Sequence, residues 1–359
     1  MGLFARSRPA PRAFLANACG AILFALTAIA VGGPALAEGR KPGSLLVYPV
    51  HRSGQGVFTI VSVTKTNLQP PAGVTLGGAT NLHFNYVNTV PVGGDPFRPD
   101  CTVFDRIEFV TPADTLSRLV HCHNAGAPVQ EGYLVVAAQD PLLQPSAWSH
   151  NFLIGSETVI TAQGGVYSIN AISFRSPQPA RSATDRDGDG QYDFDGQEYE
   201  GVPDDLILDT FLALDDVSLA LINLTGGVAF EATLKLEIWN DNEFALSATR
   251  GFRCWFEESL RDVSLVLDGS WLAVNTPTDP VELDTNCDGV ADFETGWVRV
   301  RGLEASSLGQ SIPNPAILGA LTPGDGAVVD GGRLLWESEA VQLNGDFLKT
   351  GTVDPEHPE

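Results

Sequence analysis

Acidic side chains recur at fixed spacing in one stretch, Asp185-Arg-Asp187-Gly-Asp189-Gly190-Gln-Tyr-Asp193-Phe-Asp195. Carboxylates occupy positions 1, 3, 5 and 9, and a glycine occupies position 6. Alternate residues turned inward around a sharp glycine turn present several hard oxygens to one cation, and calcium takes six to eight of them at about 2.3–2.6 Å. The backbone carbonyl of Gln191 would add a neutral oxygen. Position 12 is Gly196, so the closing carboxylate has to come from Asp195, Glu198 or Glu200. A second stretch, Asp284-Thr-Asn286-Cys-Asp288-Gly289-Val-Ala-Asp292-Phe-Glu294, repeats the pattern, with Asn286 for one Asp and Glu294 for another.

Both stretches resemble the DxDxDG calcium loops of EF-hands, dockerins and thrombospondin type 3 repeats. The resemblance spans these short segments and nothing beyond them. It implies two calcium ions. Asp185, Asp187, Asp189, Gln191, Asp193 and Asp195 would hold the first; Asp284, Asn286, Asp288, Val290, Asp292 and Glu294 would hold the second. Glycine in place of the closing Glu argues against a helix-loop-helix EF-hand but not against calcium.

Other chemistries find less support. The chain contains no Gly-x-Ser-x-Gly elbow, His-Glu-x-x-His helix, P-loop or Gly-x-Gly-x-x-Gly turn. His121-Cys122-His123 with Cys101 offers zinc-type ligands, but a strand would send the two histidines to one face and Cys122 to the other. The competing activity is a secreted, glycan-active hydrolase, whose carboxylate pair, about 5–10 Å apart, leaves no sequence signature. Of the six tryptophans, Trp239 falls on the outward phase of its strand, where it would serve a binding surface.

These residues need a scaffold, and the composition indicates an all-β one. Runs of Val, Ile, Thr and Phe are punctuated by 37 Gly and 24 Pro. Segments recur in order. Val61-Ser-Val63 answers Val217-Ser-Leu219, and Leu82–Asn88 answers Leu234–Asn240. Gly132–Val136 answers Gly296–Val300, and Phe152–Gly155 answers Ala316–Gly319. The expected fold is two duplicated Ig-like β-sandwich domains, residues 44–175 and 205–345. An acidic calcium-loop linker, 176–204, joins them, and a polar tail, 346–359, follows; a single large sandwich or jelly roll is the alternative. Two domains also suit the roughly 320 residues after the leader, more than one core comfortably serves.

That leader is residues 1–37. Arg6, Arg8 and Arg12 precede an apolar run from Ala13 to Val31, and Ala35-Leu-Ala37 supplies a small-residue cleavage site. This is the layout of a signal peptide, cleaved after Ala37, which places the protein in the periplasm or outside the cell. Cys19 would leave with it. Cys101, Cys122, Cys254 and Cys287 remain, and an even number in an exported chain implies two disulfides. Their placement in the two halves predicts Cys101–Cys122 and Cys254–Cys287. The second pair encloses twelve more residues, the length of one calcium loop. A net charge of −23 excludes nucleic acid and anionic lipid as partners and favours cations. The partner expected is an extracellular or envelope ligand of a noncatalytic protein, with no membrane span in the mature chain.

Overall fold

The computed structural model describes residues 41–347, apart from residues 55, 74, 128–129, 143–145, 162–163, 213–216, 226–228, 278–283, 285, 290–291, 293, 324–331, 339–340 and 344. The expected signal peptide and most of the polar tail lie outside the described residues. The fold is nearly all β. No helix among the described residues is long and apolar enough to cross a membrane.

The first half contains β1 (Leu45–Arg52), β2 (Phe58–Lys65), β3 (Thr80–Val92), β4 (Asp95–Val110), β5 (Thr115–Leu119), β6 (Glu131–Gln139), β7 (Leu153–Ile160), β8 (Val166–Asn170) and β9 (Ile172–Phe174). They form two antiparallel sheets ordered β4-β3-β6-β1-β9 and β5-β2-β7-β8. Alternation explains the pairing of sheets: Leu82, Phe84 and Tyr86 of β3 meet Val61 and Val63 of β2 in one core. Two short strands follow, β10 (Tyr192–Phe194) and β11 (Val202–Pro203).

The second half contains β12 (Asp205–Leu212), β13 (Val217–Asn223), β14 (Glu231–Asn240), β15 (Ala245–Arg253), β16 (Trp255–Ser259), β17 (Thr295–Ser307), β18 (Gln310–Pro313), β19 (Ile317–Pro323), β20 (Arg333–Leu334) and β21 (Trp336–Glu337). Its sheets run β15-β14-β17-β12-β21, with β18 added beside β17, and β16-β13-β19-β20; apart from β18 the order is that of the first half. Details agree too. Asn88 of β3 faces Gly132 and Asn240 of β14 faces Gly296. The neighbouring strand slips register at the same level in each half, between Tyr48 and His51 and between Leu208 and Phe211. A side chain on either glycine would overlap the carbonyl oxygen of Val87 or Trp239. Two more strands, β22 (Val341–Gln342) and β23 (Gly345–Phe347), return to pair with β11 and β10.

The halves are not loosely tethered. The described residues cluster as one compact unit, and a single apolar core crosses the boundary between the halves. Leu45, Val47, Val135 and Phe174 of the first half share it with Ala220, Ile222, Trp255 and Leu318 of the second. Phe97, at the start of β4, goes further and packs in the second half's own core, 4.9 Å from Phe256. Trp255 Nε1 donates to the Pro49 carbonyl at 2.8 Å, and Arg98 grips Glu231 with two hydrogen bonds of 2.6 and 2.9 Å. β3, expected to be half-buried, is therefore covered on both faces, whereas the matching face of β14 remains partly open.

The cysteine pairing differs from expectation. Cys101 and Cys254 lie at bonding distance, with Sγ atoms 2.05 Å apart, so the bridge joins the halves. Cys122 and Cys287 are exposed and unbridged. The reason lies in register. Cys101 faces Thr89 near the β3–β4 turn, but Cys254 follows β15 at the end remote from the β14–β15 turn. The two were never equivalent positions. The second half's extra chain is likewise more than one loop: residues 260–294 include the helices α2 (Leu260–Val263) and α3 (Gly269–Asn275), where the first half, among the described residues of 120–130, has only α1 (Val120–His123).

At the β1 irregularity His51 is wholly buried, with its ring edge-on to Tyr86. Burial pushes its imidazole down from 6.5 to about 4. As pH falls below 6.5 the unfolded chain takes up a proton that the fold refuses, so stability drops. This one group should remove about 3 kcal/mol between pH 6.5 and 4, and nothing further below that. Glu157, held up by burial and then by the neighbouring Glu257, acts with the opposite sign. Urea denaturation of wild type against His51→Gln at each pH isolates the histidine. The variant's stability should change less steeply with pH across this window, and equal slopes would contradict the assignment.

Candidate metal centre

The acidic stretch 185–198 is wedged beside the shared core, not strung between two domains. Tyr192, Phe194, Tyr199 and Val202 all belong to that core. Tyr192 OH lies 3.0 Å from His83 Nδ1, Thr184 Oγ1 lies 3.1 Å from Tyr199 OH, and Phe194 packs on Phe174 at 4.5 Å. These aromatic anchors fix both ends of the turn. Within it, Asp185, Asp187 and Asp189 cap nearby amides. Asp185 accepts from the amides of Gly188 (2.7 Å) and Gly190 (3.1 Å), Asp187 from Asp189 (3.0 Å), and Asp189 from Gln191 (2.7 Å). Gly188 and Gly190 adopt φ of 86° and 80°, a region open to glycine at little cost.

Two groups of carboxylates result, Asp185 with Asp187 and Glu198, and Asp187 with Asp189 and Asp193. In each, the oxygens lie within 4.8 Å of one another, and each group could hold a metal ion. Asp187 belongs to both. Asp193 is 1% exposed and Glu198 2%, an unusual depth for carboxylates. Burial, with the nearby charges of Asp185 and Asp195 adding to it, pushes Glu198 up to about 8. Five acids thus converge, with Asp193 and Glu198 buried, Asp185 and Asp189 half-buried and Asp187 exposed, and a divalent cation is the group that would favour their ionised forms.

Glu198 therefore stands in the closing position, one of the three residues the spacing left open. Asp195 does not join either group; its Oδ1 accepts from the amides of Gln197 and Glu198 at 2.7 and 2.8 Å. Glu200 accepts from the amide of Arg175 instead. Gln191 is buried, its own amide committed to Asp189.

The second stretch looks different. Asp284 spends its carboxylate on the amides of Asn286, Asp288 and Gly289. Asn286, Asp288 and Asp292 are exposed, while Glu294 is buried. Val290 lies outside the described residues. Among the described residues this loop gathers no group of three ligands by itself.

The remaining sequence candidates disperse. His121-Cys122-His123 forms a helical turn, not a strand. His123 contacts Tyr86 OH and Glu108, and Cys101 is bridged, so no zinc set assembles. A cleft of about 350 Å³ between the halves is lined by Arg52, Thr89, Glu131, Trp255, Glu257 and Glu258. Glu257 is tied there by Arg52 and Thr322, which leaves it poorly placed as a catalytic base. Trp239 stacks on Trp297, 4.0 Å apart, on the outer face of its sheet.

No family model matches the chain, and neither a curated protein nor a solved structure does.

Proposed function

We propose that this is an exported, noncatalytic calcium-binding protein of duplicated Ig-like sandwiches, in which an ion held by Asp185, Asp187, Asp189, Asp193 and Glu198 secures the 185–199 segment in the seam between them. Export rests on the leader-like residues 1–37 and agrees with a disulfide. Duplication rests on the shared strand order. The single observation that carries the metal reading is the overlap of two carboxylate groups at Asp187 beside two nearly buried acids. Oxygen donors alone suit a hard cation, and a flexible turn with many carboxylates suits calcium better than magnesium, which demands a near-ideal octahedron. Affinity belongs at the extracellular end of the scale, on the order of 0.1–1 mM.

The ion would neutralise like charges and fasten a segment whose aromatic side chains plug the shared core. It acts on the rigidity of one body, with no hinge between loose domains to close. Titration calorimetry of chelator-treated protein tests this. Calcium should bind, Asp187→Asn should abolish the event assigned to this turn, and Asp195→Asn should leave it intact. No calcium heat, or equal loss in both variants, would refute the reading.

A further inference from the structure

A second pair of carboxylates lies outside the 185–198 turn: Glu294 is buried, and Asp241 is half-buried with its Oδ1 accepting from Asn242 Nδ2 at 3.0 Å. Asp241 follows β14 and Glu294 precedes β17. These strands pair Trp239 with Trp297 and Asn240 with Gly296, and the Asp241 amide donates to the Thr295 carbonyl at 3.2 Å. The ladder therefore delivers both acids to the same end of the sheet. Glu294 is 5% exposed. Its Oε2 and Asp241 Oδ2 are both buried without a hydrogen-bond partner. Among the described residues neither acid has a cationic partner. Unmet buried acceptors are uncommon in folded proteins, and two brought to one end of a sheet call for a shared cation or a shared proton.

Asp241 is held where it is. Buried Asn240 accepts from the amides of Asn242 (3.1 Å) and Phe244 (2.8 Å) through Oδ1, and donates through Nδ2 to Thr276 Oγ1 (3.1 Å) and the Pro277 carbonyl (2.9 Å). The acids cannot separate without breaking this knot. Glu294 also ends the second acidic stretch, so Asp284, Asp288 and Asp292 arrive on the same segment and deepen the local negative potential. A proton would satisfy one oxygen and leave that potential in place. A divalent cation answers both.

We propose that Asp241 and Glu294 are ligands of a second calcium site, held where the β14–β15 turn meets the start of β17. Asp241 is the ligand that the loop's own spacing lacks. The inference shares with the preceding reading only the premise that this chain binds calcium.

Terbium, an oxygen-seeking stand-in for calcium, reads this site directly, because the stacked Trp239 and Trp297 adjoin it in the ladder and can sensitise its emission. In the full chain, tryptophan-excited terbium emission should appear, be competed by calcium, and persist in Asp187→Asn. Glu294→Gln and Asp241→Asn should each weaken it at least as much as the roughly 10- to 100-fold that losing an outer-shell partner costs. Thermal melting in chelator checks folding. Glu294→Gln should melt no lower than wild type there, since it relieves repulsion, but should gain less from added calcium. Emission unchanged in both variants, as a shared proton would give, overturns the proposal. If calcium binds and Asp187→Asn removes all of it, this inference falls while the first site stands. If wild type binds none, both fall.

Discussion

Replacing Cys101 or Cys254 with serine should destabilise the protein by about 5 kcal/mol, the chain-entropy value for so long a loop. The bridged residues are 153 apart in sequence, so the bond removes a large volume of conformations from the unfolded chain. Cys101 and Cys254 also sit inside the core common to both halves, where the covalent link maintains the seam that Trp255 and Phe97 fill. Serine at Cys122 or Cys287, both exposed, should change stability by no more than about 0.5 kcal/mol. Urea denaturation of the four single variants separates the alternatives. A bridge within each half would make Cys122→Ser and Cys287→Ser as damaging as the other two. Non-reducing peptide mapping should then recover one cross-linked peptide containing Cys101 and Cys254.

That pairing also shows where the sequence stopped being informative. Period-two alternation correctly marked β3 and β14, and the Asn88–Gly132 and Asn240–Gly296 pairs fall at the same level of their ladders. The match between β2 and β13 is out by two. Val63 faces Gly155 whereas Leu221, not Leu219, faces Gly319. A slip of two keeps every side chain on its proper face, so alternation cannot detect it. Cysteines counted from Asn88 and Asn240 failed for a related reason. β3 runs on to Val92 before its turn, while β14 ends at Asn240, so similar counts reach different levels. The acidic turn was legible because its ligands are neighbours in sequence. Its burial was signalled only by Tyr192, Phe194 and Tyr199, aromatic residues in an otherwise polar stretch. Asp241 carried no signal at all, since only the β14–β17 ladder brings it to Glu294.

Removing Arg52 should be nearly as damaging as breaking the disulfide. Its guanidinium holds Glu257 through Nε at 2.7 Å and through Nη2, and it reaches across from the first half to do so. The Glu257 side chain is 2% exposed, and among the described residues it receives, besides Arg52, only the hydroxyl of Thr322. Arg52→Ala would leave that carboxylate buried and uncompensated, which costs about 3–5 kcal/mol. The loss should change little with salt, because the pair is shielded from solvent ions. Glu157 sharpens the expectation. It is fully buried near Glu257, and burial, with the Glu257 charge adding to it, holds its carboxyl well above the usual range. Without Arg52 two acids would confront each other in the seam, which adds to the cost. A double replacement, Arg52→Met with Glu257→Leu, removes both charges at similar volume and should restore most of the loss, since a buried ion pair adds little over well-packed apolar groups. Urea denaturation of the two single variants and the double completes the cycle. A cost below about 1 kcal/mol for Arg52→Ala would place the pair among surface bridges and contradict its role in the seam. A double variant no better than the single would mean that the cleft needs the guanidinium itself, and not merely a partner for Glu257.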